Sequence, residues 1–489
     1  MPPERDSPPE RDDTDIEVVP GDRLPDGRIA GRPPRLIDRR SLLLGGGAAL
    51  AAGGFVVGRL TAEPRTSGVG APPAPPGENL GSPEPASPST PGDWEGVRAQ
   101  FAAPTADVHL DGFVLAVPPL AVRNAVQEYR RRLDIDGIDY VHREQGSLEE
   151  GVRQAAARYM RTDPDLIALT DSTTMGLGVV YGAARLQVGD ELLASVHDFY
   201  ATHEAMRFAA ARTGAVVRTV RLYDRPAAAR GEELVERLIA AVGPRTRMVA
   251  VTWIHSSSGV RYPVRALAKR LAPINAGRPP QERVLLVVDG VHGLGVEETA
   301  VSQLGCDVFV SGCHKWLYGP RGTGIIWAQR SAWSRFAPVI PTFDPGSYEA
   351  WRTGHPIPLG SQQWSAAMTP GGFHSFENRW ALAEAFDFHE QLGRRAVANR
   401  VAALTDRLRH GLSKVPNVRL VSPNDPHLRS AIVCFMVGHL NPERAVERLR
   451  LEGVHVSVTP YREIFLRAGC PLWVDERAVD RAVAAIRAL

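Results

Sequence analysis

The feature of this sequence that most constrains its fold is a series of short, almost wholly apolar runs between residues 165 and 330. Longer stretches with helical patterning separate most of these runs. The seven runs cover residues 166–170, 191–196, 215–222, 247–254, 283–290, 306–312 and 322–329. Strands that are apolar on both faces and alternate with helices form a parallel sheet that is covered on both sides. The sequence therefore predicts an α/β fold with a mainly parallel seven-stranded sheet.

The last third of the chain has a different pattern. "FENRWALAEAFDFHEQLG" and "RAVANRVAALTDRLRHGLSKV" predict two long helices, "SAIVCFMV" predicts a strand, and "DERAVDRAVAAIRAL" predicts a terminal helix. This mixture is typical of a smaller α+β domain. We therefore expect a large domain over residues 101–365 and a small C-terminal domain over residues 366–489.

The first hundred residues have little that could be buried. Residues 1–38 are rich in proline, arginine and aspartate and are predicted to be a disordered leader, and residues 63–100 form a Pro/Gly/Ser linker. Between them, residues 39–62 contain two consecutive arginines and a weakly apolar run, which resembles a twin-arginine export signal. The run is shorter than the roughly 20 apolar residues of a membrane-spanning helix. We expect export by the twin-arginine machinery, with the signal either cleaved or kept as an anchor.

Charge and cysteine content exclude several classes of function. The chain has 57 basic and 55 acidic residues, so no electrostatic attraction to nucleic acid is expected. Its four cysteines contain no C-x-x-C pair and indicate neither a zinc site nor a disulfide framework. We predict four buried free thiols and no metal site.

Three polar clusters follow predicted strands, where ligands of parallel sheets bind. The turn "TDSTTMGLG" places hydroxyls at a helix start, which suits a phosphate but can also be an ordinary helix cap. Asp289 ends a very apolar strand and needs a cation or hydrogen-bond donors, whether from a pyridinium, a metal or a helix. Lys315 follows one strand later in "VSGCHKWLYGPRGTG", where it is either a solvated lysine or an amine that forms an imine. Together the three clusters match what pyridoxal 5′-phosphate (PLP) requires: an imine-forming lysine, an acid and a phosphate cup.

At these motifs the sequence resembles fold-type I PLP enzymes of aminotransferase class V, which include cysteine desulfurases and isopenicillin N epimerase-like proteins. The resemblance covers residues 105–489. "SGCHKWLYGPRGTG" resembles the lysine motif, which implies that Lys315 forms the internal aldimine and that His314 is its neighbour. "VDGVHGLG" resembles the D-x-x-[HQ] motif, which implies Asp289 on the pyridine nitrogen and His292 near the phenolic oxygen.

Three further segments resemble the cofactor-binding segments of the family. "DSTTMG" implies Thr173 and Thr174 as phosphate-binding residues. "HDFYATHEA" supplies the residue that stacks on the ring, for which alignment favours Phe199, with Tyr200 second. "TWIHSSSG" places Ser256 beneath the cofactor, where relatives often have asparagine.

The resemblance also implies a homodimer with its active sites at the subunit interface. "MTPGGFHSFENRW" implies that Thr369 reaches the phosphate of the neighbouring subunit, and "LRAGCPLWVDERAVDRAV" implies that Arg467 binds the substrate carboxylate. Two departures from the family pattern matter. The phosphate-binding serine or threonine three residues before the lysine is replaced by Gly312, with Ser311 one position earlier. The segment before Arg467 also lacks the catalytic cysteine and the loop length of a cysteine desulfurase.

The resemblance implies an enzyme that acts on an amino acid or amine through an external aldimine, with Lys315, Asp289 and His292 as catalytic residues. Transamination and epimerisation share these residues, and a lyase of the C–S or β-elimination type is the alternative, although a desulfurase is disfavoured. A non-catalytic exported binding protein with the same fold is a further alternative. An α/β nucleotide-binding enzyme is disfavoured because the chain lacks G-x-x-x-x-G-K-[ST] and an early G-x-G-x-x-G.

Overall fold

The computed structural model describes residues 16–18, 92–102, 106–358 and 363–489, which belong to one compact unit. The predicted export signal and most of the predicted leader and linker lie outside the described residues. The leader contributes one short strand, and the end of the predicted linker forms a helix, Trp94–Ala99, with Val97 fully buried.

The strands are numbered in chain order. They are β1 Ile16–Val18, β2 Val108–His109, β3 Ile167–Thr170, β4 Glu191–Ser195, β5 Val216–Val220, β6 Thr246–Thr252, β7 Leu285–Asp289, β8 Val308–Gly312, β9 Gly324–Ala328, β10 Val418–Leu420, β11 Ile432–Val437, β12 Val454–His455, β13 Ser457–Val458 and β14 Leu466–Gly469.

The helices are numbered in the same way. They are α1 Trp94–Ala99, α2 Leu120–Met160, α3 Thr173–Ala183, α4 Tyr200–Thr213, α5 Gly231–Ala240, α6 Val264–Ala276, α7 Pro345–Arg352, α8 Trp364–Ala367, α9 Phe376–Trp380, α10 Leu382–Leu392, α11 Arg394–Ser413, α12 Pro442–Leu451 and α13 Glu476–Arg487. None of these helices combines the length and the hydrophobicity needed to cross a membrane.

The large sheet confirms the predicted α/β class. Its strand order is β1-β5-β4-β6-β7-β8-β9-β3, and all seven predicted strands are present. Strands β5, β4, β6, β7 and β8 pair in parallel, whereas β9 is antiparallel to both of its neighbours. Strand β1 was not predicted and adds an eighth, antiparallel strand beside β5. Because no helix lies between β8 and β9, the chain turns back directly, and this turn carries Lys315.

The strands of this sheet are apolar throughout because both of their faces are buried. Along β7, Leu286 and Val288 join one hydrophobic core, while Val287 and Leu285 join a second core on the opposite face. Successive side chains of a strand point to opposite faces, so a strand between two cores has no polar side. The first strand residue that breaks this pattern is Asp289, at the carboxyl end, and a polar residue there marks the edge at which the site lies.

The C-terminal region forms the predicted smaller α+β layer. Its sheet has the order β10-β11-β14-β13, and residues of α11, α12 and α13 pack against it in a core of their own. Strand β14 was not predicted, and it carries Arg467. The helix predicted over 376–393 is two helices, α9 and α10, which meet at Ala381.

Candidate active site

Lys315 lies in the turn between β8 and β9, and its amine is buried. Its Nζ lies 3.1 Å from Nε2 of His292. Burial lowers the pKa of the Lys315 ammonium to about 8, while the charge of Asp289 acts in the opposite direction. A substantial fraction of the amine is therefore neutral near pH 7 to 8, which is the form that attacks a carbonyl.

Asp289 is the last residue of β7 and is only 3% exposed. One of its carboxylate oxygens accepts a hydrogen bond of 3.1 Å from the Val291 N–H, and no described residue forms an ion pair with it. Burial raises the pKa of the Asp289 carboxyl to about 6. A buried carboxylate without a cation partner is costly, so the site favours a ligand that brings a positively charged N–H.

His292 lies between these two residues in the sequence and is buried. Burial holds the pKa of its imidazole well below the ordinary value, so the ring is neutral at pH 7. Its Nε2 faces Lys315, and its Nδ1 is buried without a hydrogen-bond partner among the described residues. Buried polar atoms are normally satisfied, so this nitrogen indicates that the pocket holds a further group.

The predicted phosphate turn is the start of α3. The Ser172 hydroxyl caps this helix by accepting a hydrogen bond of 3.1 Å from the Met175 N–H. Thr173 is buried and Thr174 is exposed. The N-terminus of the 11-residue helix carries unpaired N–H groups and a partial positive charge, both of which favour a phosphate.

Gly312 joins the phosphate turn to the lysine turn. Its N–H donates a hydrogen bond of 2.7 Å to the Thr173 hydroxyl. A Cβ at Gly312 would lie only 3.0 Å from that hydroxyl and from Cε1 of His314, so a serine or threonine is unfavourable here. The alternative ligand, Ser311, is fully buried and donates its hydroxyl hydrogen to the Gly312 carbonyl. The Thr173 hydroxyl and the His314 ring thus occupy the space that a side chain at position 312 would need.

The predicted ring-stacking segment is held by a residue that the sequence did not indicate. Asp198 is buried, and its carboxylate accepts hydrogen bonds from the Ser195 N–H at 2.7 Å and the Thr252 N–H at 2.6 Å. The following residue, Phe199, is half-buried, and its ring lies edge-on to Tyr461 at 6.0 Å. Tyr200 is 68% exposed. The structure therefore directs Phe199, and not Tyr200, towards the site.

Arg467 provides a buried positive charge. Its Nε donates a hydrogen bond of 2.9 Å to the Ser457 hydroxyl, and one Nη contacts the carbonyl of Ser256 at 3.4 Å. Its guanidinium lies over the ring of Phe113, 5.2 Å from the centroid. Burial lowers the pKa of this guanidinium, and no described carboxylate pairs with it. A carboxylate of a ligand would complete this site.

Two aromatic residues of the site carried no sequence motif. The Tyr461 hydroxyl lies 3.1 Å from the hydroxyl of Ser256, in the segment where a desulfurase cysteine was sought. The Phe113 ring lies 6.1 Å from that of His292 and 5.2 Å from the Arg467 guanidinium. Phe113 is more than 350 residues from Arg467 in the sequence, so only the fold brings them together.

The Thr369 hydroxyl is used in hydrogen bonds within the chain, and His314 is held by a backbone hydrogen bond. The Thr369 hydroxyl donates to the Ser365 carbonyl and accepts a hydrogen bond of 3.1 Å from the Leu169 N–H. Its predicted role at a neighbouring subunit's phosphate stays a prediction. The His314 carbonyl accepts from the Ala116 N–H, and burial lowers the pKa of the His314 ring to about 4. This ring is therefore neutral.

Arg379, in helix α9, contacts acidic residues of the phosphate turn and of helix α2. It is almost completely buried, and it donates a hydrogen bond of 2.9 Å to Asp171, the residue before the α3 cap. Its other Nη lies 3.6 Å from the carboxylate of Glu149 in α2, which is also within 3.7 Å of His374. One guanidinium thus balances two carboxylates beside the site.

Replacing Arg379 with alanine should lower the free energy of unfolding by about 2 kcal/mol, because it removes a buried cation from both Asp171 and Glu149, of which Glu149 keeps a contact with Arg153 at 3.5 Å. Urea denaturation measures this loss. Arg158→Ala is the matched control, since it breaks the exposed Arg158–Asp387 pair, and it should cost less than about 1 kcal/mol. Equal losses in the two variants would contradict the assigned role of Arg379.

All four cysteines of the chain are buried and unpaired, as predicted: Cys306, Cys313, Cys434 and Cys470. Burial raises the pKa of each thiol. A protonated, inaccessible thiol is a poor nucleophile. None of the four is therefore suited to accept sulfur from a substrate.

The chain is similar in sequence to two kinds of known enzyme. The isopenicillin N epimerase of Streptomyces clavuligerus is 27% identical over 409 residues, which are 81% of this chain and 98% of that protein. A probable cysteine desulfurase of Xylella fastidiosa is 26% identical over 392 residues, covering 76% of this chain and 87% of the relative.

A solved structure of C-DES, a cystine C–S lyase, has the same fold. A C-DES mutant with glycine covalently linked to its PLP cofactor superposes with a TM-score of 0.70 at 20% identity and covers 80% of this chain and 98% of its own. Residues 116–459 match the family described as aminotransferase class-V, which is well over half of the chain. The chain therefore belongs to the aminotransferase class-V family.

Proposed function

We propose that this protein is a PLP-dependent enzyme that transaminates or epimerises an amino acid or a related amine. The observation that carries the proposal is the buried Lys315 amine, which has a lowered pKa, lies 3.1 Å from His292 and follows Asp289 by one strand. A structural lysine gains nothing from such burial, whereas an imine-forming lysine requires it.

The described residues fit PLP at each of its polar groups. Lys315 would bond to the aldehyde carbon, the carboxylate of Asp289 would pair with the ring nitrogen, and the unpartnered His292 ring would accept or donate near the phenolic oxygen. The α3 N-terminus, with Thr173, would hold the phosphate. When bound, PLP supplies an electron-withdrawing ring that weakens bonds at the substrate's α-carbon.

The protein's own side chains would bind the substrate, transfer protons and exclude water. Arg467 would bind the substrate carboxylate, because it is a buried guanidinium without a carboxylate of its own. Lys315, with a pKa of about 8, can hold or release a proton close to neutral pH and would act as the acid–base group. The aromatic rings of Phe199, Tyr461 and Phe113 would exclude water around them.

A lyase of the C–S or β-elimination type is the second candidate, favoured by the similarity to cysteine desulfurases and to a cystine C–S lyase. The burial of all four thiols argues against any route that needs an enzyme cysteine as sulfur acceptor. Elimination that releases sulfur to solvent has no such requirement and stays within this proposal. A non-catalytic binding protein is disfavoured, because the lysine and the aspartate are both present.

A panel of amino acids tests the reaction class. The holoenzyme is incubated with each amino acid in deuterium oxide, with and without a keto acid. Epimerisation is expected to give deuterium at the α-carbon and inversion, transamination is expected to consume the added keto acid, and elimination gives pyruvate and a released sulfur species. A holoenzyme that gives none of these products with any amino acid or amine would contradict the proposal.

The lowered pKa of Lys315 predicts how cofactor capture depends on pH. Only the neutral amine attacks an aldehyde, so the rate at which the apoprotein captures PLP should rise with pH and level off above about pH 8. Between pH 7 and pH 6 the rate should fall by about tenfold, because the neutral fraction falls tenfold per pH unit. Stopped-flow absorbance measures this rate. A profile that keeps rising to pH 10 would indicate an ordinary exposed lysine.

The proposal includes a homodimer that is exported by the twin-arginine pathway. In support of the dimer, α3 and α4 expose apolar side chains beside the phosphate turn, namely Met175, Tyr200 and Phe208. Light scattering of the purified protein measures the subunit number.

In support of export, residues 39–62 contain consecutive arginines before an apolar run. Fusion of residues 1–100 to a reporter tests this, with both arginines changed to lysine as the control.

A further inference from the structure

A second cluster of ligand-type side chains lies where strand β2 pairs with β12. These two-residue strands are parallel, and His109 is directly opposite His455 in their register. Asp107 precedes His109 by two residues, so both side chains leave β2 on the same face. Asp107, His109 and His455 each have a ligand atom within 4.8 Å of those of the other two.

The two imidazoles and the carboxylate are already in contact. The rings of His109 and His455 stack with centroids 4.2 Å apart and planes within 10°. Nε2 of His455 lies 3.0 Å from the Asp107 carboxylate. Nε2 of His109 is buried and has no hydrogen-bond partner among the described residues. That nitrogen is available as a ligand atom.

The second imidazole nitrogen of His109, Nδ1, lies near a carboxylate, as it does in many metal-binding histidines. Its Nδ1 lies 3.7 Å from the carboxylate of Asp111. In metal sites a carboxylate commonly accepts from the second imidazole nitrogen, which fixes the tautomer and frees Nε2 to bind. At 3.7 Å the Asp111 carboxylate is too far from Nδ1 for a direct hydrogen bond, but it is the nearest acidic group that could accept one when the ring rotates to bind a metal.

The charge of the cluster favours a cation. Asp107 and Asp111 are both acidic, and the Asp107 carboxylate lies 3.0 Å from Nε2 of His455. The only basic neighbour in the described structure whose charge acts on Asp107, other than these histidines, is Arg481, which donates to the Ala106 carbonyl. One guanidinium balances only one of the two carboxylates.

We propose that Asp107, His109 and His455 bind one divalent transition-metal ion of the zinc type. Two imidazoles and a carboxylate are a common protein ligand set for zinc, with water as the fourth ligand. Ligand atoms of a tetrahedral zinc site lie about 3.4 Å apart, so the cluster, whose ligand atoms lie within 4.8 Å of one another, needs a contraction of up to about 1.4 Å and a rotation of the stacked rings. All three side chains are partly exposed and can make this adjustment.

This site differs from the proposed cofactor site in residues and in chemistry. Its ligands come from chain segments almost 350 residues apart, so a bound ion would tie the start of the globular region to the C-terminal sheet. Two residues beyond His455, Ser457 supports Arg467. Metal binding would therefore stabilise the part of the fold that holds this arginine.

Metal titration of the purified full-length holoprotein tests the proposal. After chelator treatment, Zn²⁺ is added in competition with a chromophoric chelator, and Co²⁺ is added to record the absorption of a tetrahedral site. We expect one saturable equivalent in the wild type and at least a tenfold weaker affinity in His109→Ala and in His455→Ala. His410→Ala changes an exposed histidine outside the cluster and should bind as the wild type does.

A second measurement separates metal binding from a folding defect. Zn²⁺ should raise the thermal midpoint of the wild type and of His410→Ala, but not that of His109→Ala, and the far-ultraviolet circular dichroism of the metal-free proteins should be the same. Failure of the wild type to bind Zn²⁺ or Co²⁺ in a saturable way would overturn the proposal. Equal affinity in the wild type and in both cluster variants would also overturn it.

Discussion

Lys315→Ala should lose the absorbance band of the lysine-bound cofactor and should reduce activity by about 10³-fold or more. The variant loses the only described amine in the pocket, and with it the proposed covalent anchor of PLP and the proposed acid–base group. The variant should still fold, because removing a buried ammonium relieves a desolvation cost. The measurements are the absorption spectrum of the purified protein and the turnover of the best substrate from the amino-acid panel.

Lys269→Ala is the matched control for this experiment. Lys269 is an exposed lysine of α6, so its removal should change neither the spectrum nor the turnover. A Lys315→Ala protein that keeps the band after dialysis would show that another amine holds the cofactor. A colourless wild type that does not take up PLP would contradict the proposed function as a whole.

Asp289→Asn should reduce activity by about 10² to 10³-fold while leaving the protein folded. A neutral amide cannot stabilise a positive charge on the ring nitrogen. Loss of a comparable electrostatic interaction reduces the turnover of other enzymes by about 10² to 10³-fold. The apoprotein should be at least as stable as the wild type at pH 7. Burial raises the pKa of Asp289 above its unfolded value, so the ionised carboxylate destabilises the apoprotein above about pH 6, and an amide removes this effect.

Asp307 provides the control for Asp289. Burial also raises the pKa of Asp307 to about 6, and its carboxylate accepts a hydrogen bond of 2.8 Å from the Leu286 N–H, but it precedes β8 and so lies at the opposite end of the strands. Asp307→Asn should leave turnover nearly unchanged. Urea denaturation and turnover are measured for both variants. Equal activity losses would mean that any buried carboxylate in this sheet affects turnover through folding alone.

The elements that the sequence predicted well are those with a strong local pattern. The seven predicted strands of the large sheet were found because each is a nearly continuous apolar run, since both faces of the sheet are buried. Strand β14 was missed because it has only four residues and the charged Arg467 interrupts its apolar pattern. The break at Ala381 was missed because neither proline nor glycine marks it.

The residues of the candidate site also fall into those that the sequence predicted and those that it did not. Lys315, Asp289 and the phosphate turn follow strands, and the chemistry of their residue types made them conspicuous. Phe113 and Tyr461 have no such signal, since an aromatic residue in a loop is usually packing. Asp198 and Arg379 were missed because their roles are hydrogen bonds across elements, to Thr252 and to Asp171. Neither partnership has a fixed spacing in the sequence.

The sequence by itself determined the class of the fold, the family and the side chains that can carry the chemistry, because hydrophobic pattern and residue type are local properties. The tertiary structure decided the rest, because pKa values, buried charges and unpaired atoms depend on neighbours that are distant in the chain. Only the fold brings the amine of Lys315 beside His292 and, by burial, lowers its pKa to about 8. The histidines of β2 and β12 form a candidate metal site only because two short strands pair across almost 350 residues.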